Sequence, residues 1–295
     1  MVKFILRLIN RIRRWLPKNF GGFFKWVILS LITGGLVGIV SSAFNLCLKE
    51  SEKLRTEYPF IILLLPFSGI LIVGIYRFLK LKHDKGTNMV IMAVRDGENM
   101  TWRNTLSIFT GSVLTHIAGG SAGREGAALQ IGGSMGSQIG LWLRLEEQDH
   151  RLITMCGMSA GFSALFGTPA AAAFFSMYGK AHLTSAGPEK RQGYMHYSAI
   201  VPCVIAALTG FKISSHFGVA PMAVAVRDCN IDVMLFIKAA VLAILCGLLS
   251  IVFCFVLKNT GVLYKKFIKN SYLRIFTGGI LVASLTFICG TYDYN

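Results

Sequence analysis

An arginine and a glutamate stand side by side, at Arg124 and Glu125, in a stretch otherwise made of small and apolar residues. A helix that begins here would direct its free backbone N–H groups and the positive end of its dipole toward an anion. Gly123 and Gly126 carry no side chain that would keep an anion away from those amides. The Glu125 carboxylate is itself a tethered anion, which competes for the place when ionised and releases it when protonated. The pattern predicts an anion site in which one glutamate is both gate and proton carrier.

A second interpretation of Glu125 needs no ligand, because a carboxylate in the first turn of a helix stabilises the dipole by under about 1 kcal/mol. A nucleotide loop is excluded, since such a loop places lysine and then serine or threonine where Arg124-Glu125 stand. Neither a Ser-His-Asp order nor an HExxH pattern is present, and the seven cysteines show no metal-ligand spacing. We therefore expect no enzyme, no metal site and no cofactor.

The elements that must position these residues are membrane helices. Of the 295 residues, 54% are hydrophobic and 15% are charged, whereas a soluble domain averages about 25% charged residues. Several of the apolar segments are short or interrupted, above all at Pro169, and broken helices at membrane depth favour a transporter or channel over a simple anchor. The predicted segments are 23–48, 59–81, 106–118, 119–143, 152–177, 198–211, 232–257 and 272–290.

Much of the formal charge of +16 precedes or opens the first apolar segment. Positive charge beside a first membrane helix marks the cytoplasmic side, and the interleaved apolar residues predict a helix that lies on the headgroups. We predict that residues 1–22 are a basic amphipathic cytoplasmic segment and that the chain is a multi-pass protein of the cell membrane. This distribution of charge argues against a nucleic-acid partner. The basic residues are Lys3, Arg7, Arg11, Arg13, Arg14, Lys18 and Lys25.

Two glycine-rich motifs follow one another in the sequence, "GREGAALQIGGSMGS" from Gly123 and "GMSAGFSALFGTPAAAAFF" from Gly157. They resemble two elements of the CLC family of anion channels and anion/proton antiporters: the first is similar to its Gly-Lys/Arg-Glu-Gly helix start, and the second to the glycine-rich element that follows. The resemblance covers about residues 23–295. It implies an all-α, polytopic membrane domain with broken and re-entrant helices, built as inverted repeats. It also implies a homodimer that moves anions, surrounded by membrane lipid.

The stretch "GTNMV", residues 86–90, stands where the family usually reads Gly-Ser-Gly-Ile-Pro. This variant is more similar to the bacterial fluoride/proton antiporter branch, which makes fluoride and protons the expected substrates. By this resemblance the anion meets the side chains of Thr87 and Asn88, the amides of Met89 and Val90, and the helix start formed by Gly123, Arg124 and Gly126, with Glu125 as the gate. The alternative is a polar turn before a helix, with Asn88 as its N-cap.

The chain also departs from the family pattern. Tyr178 stands where the family usually has a glutamate, and Gly179 replaces the inner proton-carrying glutamate of many chloride/proton antiporters. After Asn295 we expect a family member to continue with the rest of the second repeat, so that this chain contains the first inverted repeat plus part of the second, a transmembrane domain incomplete at its C-terminus. Two other functions stay open: a chloride channel or chloride/proton antiporter, and a truncated, non-transporting remnant.

Overall fold

The structure is a computed structural model that describes residues 22–81, 86–181, 195–219 and 233–290. These ranges contain ten α-helices, one 3-10 helix at Pro59–Leu64 and no strand, which confirms the prediction of an all-α protein. The predicted basic segment, except Gly22, lies outside the described residues. The helices are α1 (Gly22–Glu57), α2 (Leu65–Phe78), α3 (Thr87–Asp96), α4 (Trp102–Ile117), α5 (Arg124–Leu143), α6 (Glu147–Phe166), α7 (Pro169–Ala181), α8 (Met195–His216), α9 (Val233–Phe267) and α10 (Ser271–Cys289).

Five helical stretches of the described chain are long and apolar enough to cross a bilayer, as expected for a multi-pass protein. Three of them run further than the sequence predicts. α1 continues past residue 48 to Glu57, α8 past residue 211 to His216, and α9 past residue 257 to Phe267. In α1 the charged residues beyond the apolar segment continue the helix, since Lys53 bonds Glu50 on the same face at 2.6 Å. The five stretches are Gly22–Glu57, Pro59–Phe78, Ala199–His216, Val233–Phe267 and Ser271–Cys289.

The predicted break in the middle of the chain is confirmed. α6 ends at Phe166, and Gly167 follows with a φ of 71°, a left-handed conformation that favours glycine. α7 then begins at Pro169, whose ring suits the first position of a helix. α3 and α7, with 10 and 13 residues, are too short to span a bilayer and pack against each other inside the helix bundle.

Small residues hold the centre of the fold together by letting backbones touch. A Cβ added to Gly132 of α5 would lie 2.2 Å from the carbonyl oxygen of Gly157 in α6, and one on Gly136 would lie 2.5 Å from that of Ile153. Likewise, α8 approaches α6 where a Cβ on Gly210 would come within 2.8 Å of Ala160 O. Membrane helices gain van der Waals contact from such approaches, because lipid supplies no hydrophobic driving force between them.

A second group of helices lies beside this centre. α10 packs antiparallel on α2, where a Cβ on Gly279 would be only 2.7 Å from Pro66 Cα. α9 has no buried residue, and it reaches α10 through a hydrogen bond of 2.9 Å between Tyr264 Oη and Thr277 Oγ1. Almost the whole apolar surface of α9 is therefore open.

We expect Gly157→Ala to destabilise the protein strongly. The new methyl group would overlap the Gly132 carbonyl, and overpacking of this kind costs roughly 1–3 kcal/mol. Thermal unfolding of the detergent-solubilised protein measures the loss. Gly247→Ala in α9 is the matched control, because no atom lies within 4 Å of its Cβ position; it should be neutral or stabilise by up to ~1 kcal/mol. Equal unfolding temperatures for Gly157→Ala and the unmodified chain would contradict the contact.

A buried histidine connects α5 and α6 through hydrogen bonds. His150, in the first turn of α6 and outside the five candidate spans, places Nε2 3.0 Å from Ser137 O and 3.2 Å from Ser137 Oγ. The same hydroxyl accepts the Met100 N–H at 3.0 Å, so the loop before α4 is tied in as well. Burial lowers the pKa of His150 below its usual value of 6.5, because the charged imidazolium is poorly solvated there.

His150 should make stability depend on pH in a defined window. Above pH 6.5 the ring is neutral in both folded and unfolded chains; below it the unfolded ring takes up a proton first, so stability falls as pH drops toward the lowered folded pKa. We expect His150→Gln to flatten this decline in unfolding temperatures measured between about pH 5 and 7. His216→Gln, at an exposed position, should leave it unchanged. An identical slope in His150→Gln and the unmodified chain would contradict this origin of the pH dependence.

Candidate anion-binding site

The first turns of α3 and α5 lie side by side. Thr87 is the first residue of α3 and Gly126 is the third residue of α5. A Cβ on Gly126 would lie 2.8 Å from Thr87 Oγ1, so the two helix starts approach this closely because position 126 has no side chain. One turn further into α3, Val90 packs on Gly133 of α5, where a Cβ would come within 2.5 Å of Val90 Cγ1. The two stretches that the sequence assigns to the anion are thus brought together.

Both helices begin at a glycine, so no side chain caps them. Gly86 precedes α3 with a φ of 62°, and Gly123 precedes α5 in an extended conformation. Because neither cap offers a side-chain acceptor, the first-turn amides are left for other partners. The alternative in which Asn88 caps α3 is wrong, since the helix starts before that residue. The predicted start of a helix at Glu125 is confirmed to within one residue by the start of α5 at Arg124.

Several backbone N–H groups at these two helix starts have no acceptor among the described residues. Met89 is different, because its N–H donates to Gly86 O at 2.9 Å and is not a free donor. Val90 is fully buried and contributes its side chain to the contact with α5. The sequence assigned the amides of both residues to the anion, and the structure engages that of Met89. The amides without an acceptor belong to Thr87, Asn88, Arg124, Glu125 and Gly126.

The side chain of Glu125 stands at the open side of this arrangement. It is exposed, and its Oε2 atom lies 3.7 Å from the Cβ position of Gly123, the residue that caps α5. No cation of the described residues forms an ion pair with it. The carboxylate therefore lies near the positive end of the α5 dipole and is free to move away from it.

Arg124 does not extend its guanidinium toward the same place. Its Nη2 atom lies 3.3 Å from Glu52 Oε2 in the last turns of α1, and both side chains are partly exposed. The pair neutralises the positive charge of Arg124, and an ion pair this exposed stabilises the fold by only about 0–1 kcal/mol. The backbone amide of Arg124, in contrast, has no acceptor among the described residues. Asn88, the other polar side chain of the predicted set, is exposed.

A cavity of about 630 Å³ reaches the loop that leads into α5. Ser121 lines it on one side, and Lys265 and Arg274, from the end of α9 and the start of α10, line it on the other. The sequence analysis did not select these two cations. Both lie within five residues of the short junction 268–270 between two apolar helices, and this position could have indicated them. The described residues contain no group of three or more His, Cys, Asp or Glu side chains that could hold a metal ion.

The family model described as "Voltage gated chloride channel" matches residues 69–294. This chain belongs to the CLC family. The residues that match the CLC model include Glu125 and the two short helices α3 and α7. Of the two departures from the family pattern, Tyr178 has a side chain that lies outside the described part of the structure, and Gly179 has no side chain.

Three relatives of this CLC chain bear on its function. A chloride/fluoride channel protein of Pseudomonas syringae pv. tomato is 33% identical over 273 residues, 92% of this chain and 58% of its own length. An H(+)/Cl(-) exchange transporter of Salmonella arizonae is 26% identical, over 82% of this chain and 52% of its own length. The crystal structure of a CLC-type fluoride/proton antiporter superposes with a TM-score of 0.83 at 27% identity, over 94% of this chain and 68% of that one. The chain thus spans little more than half the length of these curated relatives.

Proposed function

We propose that this CLC chain transports fluoride across the cell membrane in exchange for protons, with Glu125 as the gating and proton-coupling group. The observation that carries the proposal is the adjacency of the α3 and α5 starts, whose open amides surround the place that Glu125 borders. Partial charges of about half a unit at each helix start attract a small anion without a fixed cation. Such an anion is bound and then released more easily than one held by a full ion pair.

The competition between Glu125 and the anion supplies the coupling. Ionised, the carboxylate occupies the mouth of α5 and keeps the anion out; protonated, it withdraws and carries one proton away as the anion enters. No neighbouring cation among the described residues opposes this movement, because Arg124 is paired with Glu52. The first shell of an anion would consist of Thr87 Oγ1, the Asn88 amide and the amides of Arg124, Glu125 and Gly126.

Fluoride is proposed over chloride because of residues 86–90 and the relatives whose names include fluoride. A chloride channel or chloride/proton antiporter is the second candidate, favoured by the family description and by the exchange transporter of Salmonella arizonae. A cytoplasmic N-terminus and a homodimeric assembly remain predictions from the charge pattern and from the family resemblance.

Glu125→Gln should separate fluoride movement from proton movement. The amide cannot ionise, so we expect fluoride uptake driven by a proton gradient to fall about tenfold or more, equivalent to ~1.4 kcal/mol. The full chain is reconstituted in liposomes, and fluoride is followed with an ion-selective electrode while a trapped dye reports internal pH. Glu57→Gln is the matched control, since it removes an exposed carboxylate that belongs to neither the α3 start nor the α5 start. Proton-driven uptake that is equal in both variants would refute the role of Glu125.

The same vesicles distinguish the candidate anions. Fluoride flux that exceeds chloride flux supports the proposal, and the reverse order assigns the chain to the chloride candidates. A folded, monodisperse chain that moves neither anion would identify it as a non-transporting member of the family.

A further inference from the structure

A narrow cleft opens on the surface of the helix bundle, between α1, α4 and α5. Its volume is about 370 Å³, which is within the range of roughly 300–1,000 Å³ of small-molecule sites. It is separate from the cavity beside Ser121, with which it shares no lining residue. Its walls are mainly apolar, and include Leu36, Leu106, Phe109, Met135 and Ile139.

The polar side chains on the walls are already bonded to the protein. Gln138 Oε1 accepts the backbone N–H of Trp102 at 3.1 Å, and Thr105 Oγ1 shares a hydrogen bond of 2.5 Å with Ser134 Oγ. With those groups engaged, an occupant gains contact with carbon atoms and little else. The cleft therefore fits a hydrocarbon chain.

Two tryptophans mark where the cleft meets the membrane surface. Trp102 begins α4 and Trp142 stands next to the last residue of α5, and they are 53% and 47% exposed. Tryptophan at a helix end is typical of the boundary between hydrocarbon and headgroups. Because both rings line the same cleft, this preference indicates a mouth at headgroup level.

Two arginines lie close to these tryptophans in the sequence, Arg103 directly after Trp102 and Arg144 two residues after Trp142. Arg103 and Arg144 are exposed, and neither forms an ion pair with a described residue. They lie on the same side of the membrane as the start of α1, because Lys25 is ion-paired with Asp149 just beyond the α5–α6 turn. Exposed arginines beside a membrane surface attract anionic headgroups, with bidentate hydrogen bonds to phosphate oxygens.

We propose that this cleft is a binding site for one anionic phospholipid of that leaflet. One acyl chain lies between α1, α4 and α5, the tryptophans flank its upper part, and Arg103 and Arg144 hold the phosphate. The site is independent of the Glu125 region, and it requires nothing of the transported ion.

Native mass spectrometry of the full chain in detergent, with added lipid, tests the site. We expect one bound phosphatidylglycerol per chain, and at least about tenfold weaker binding of phosphatidylcholine. The double variant Arg103→Gln/Arg144→Gln should lose the preference for phosphatidylglycerol. Lys212→Gln/Lys258→Gln removes two other exposed cations and should keep it. Leu106→Trp, which fills the cleft from an exposed position, should weaken the binding of both lipids.

Other outcomes would overturn the proposal. Equal binding of the two lipids, or an unchanged preference in the arginine variant, would remove the role of the arginines. Displacement of the lipid by inorganic phosphate alone, or full binding by Leu106→Trp, would show that the acyl chain lies elsewhere. A species of twice the chain mass that Leu106→Trp abolishes would make the cleft a contact between two copies of the chain. Unchanged thermal unfolding of each variant shows that its fold is intact.

Discussion

The contact between the α5 and α6 backbones is the constraint on which the site depends. One face of α5 touches α6 through Gly132 and Gly136, and another face receives α3 at Gly126 and Gly133. α5 is therefore held from two sides, by main-chain atoms of α6 and by the Thr87 and Val90 side chains of α3. The position of its first turn follows from these contacts.

An anion at the paired helix starts would be held by dipoles alone. Glu52 cancels the charge of Arg124, the cation of the α5 start. A full positive charge there would bind an anion more tightly and would also hold the Glu125 carboxylate in place. In the proposed mechanism the arrangement instead balances an ion against a tethered carboxylate of the same charge, and a balance of this kind can be tipped by one proton.

Local signals in the sequence predicted the parts of the fold that local chemistry decides. The helix start next to Glu125 and the break before Pro169 follow from glycine, proline and first-turn acids. The sequence did not predict the partner of Arg124, because Glu52 belongs to another helix far along the chain and the pairing exists only after folding. The engaged amide of Met89 was missed because the hydrogen bond to Gly86 depends on the tightness of the first turn. α1 and α9 also continue beyond the predicted apolar segments, since a helix that leaves the membrane can continue in water.

The bare surface of α9 has a consequence for how the chain is made. α9 is the most apolar of the five candidate spans, and no side chain of it is buried by the rest of the described protein. Such a segment partitions into the bilayer on its own as it leaves the ribosome. α5 and α6 are not among the candidate spans, and glycine and serine give them little affinity for hydrocarbon. α5 and α6 must therefore enter the bilayer together, or against helices that are already inserted. During biosynthesis these two helices, which flank Glu125, depend on other helices more than α9 does.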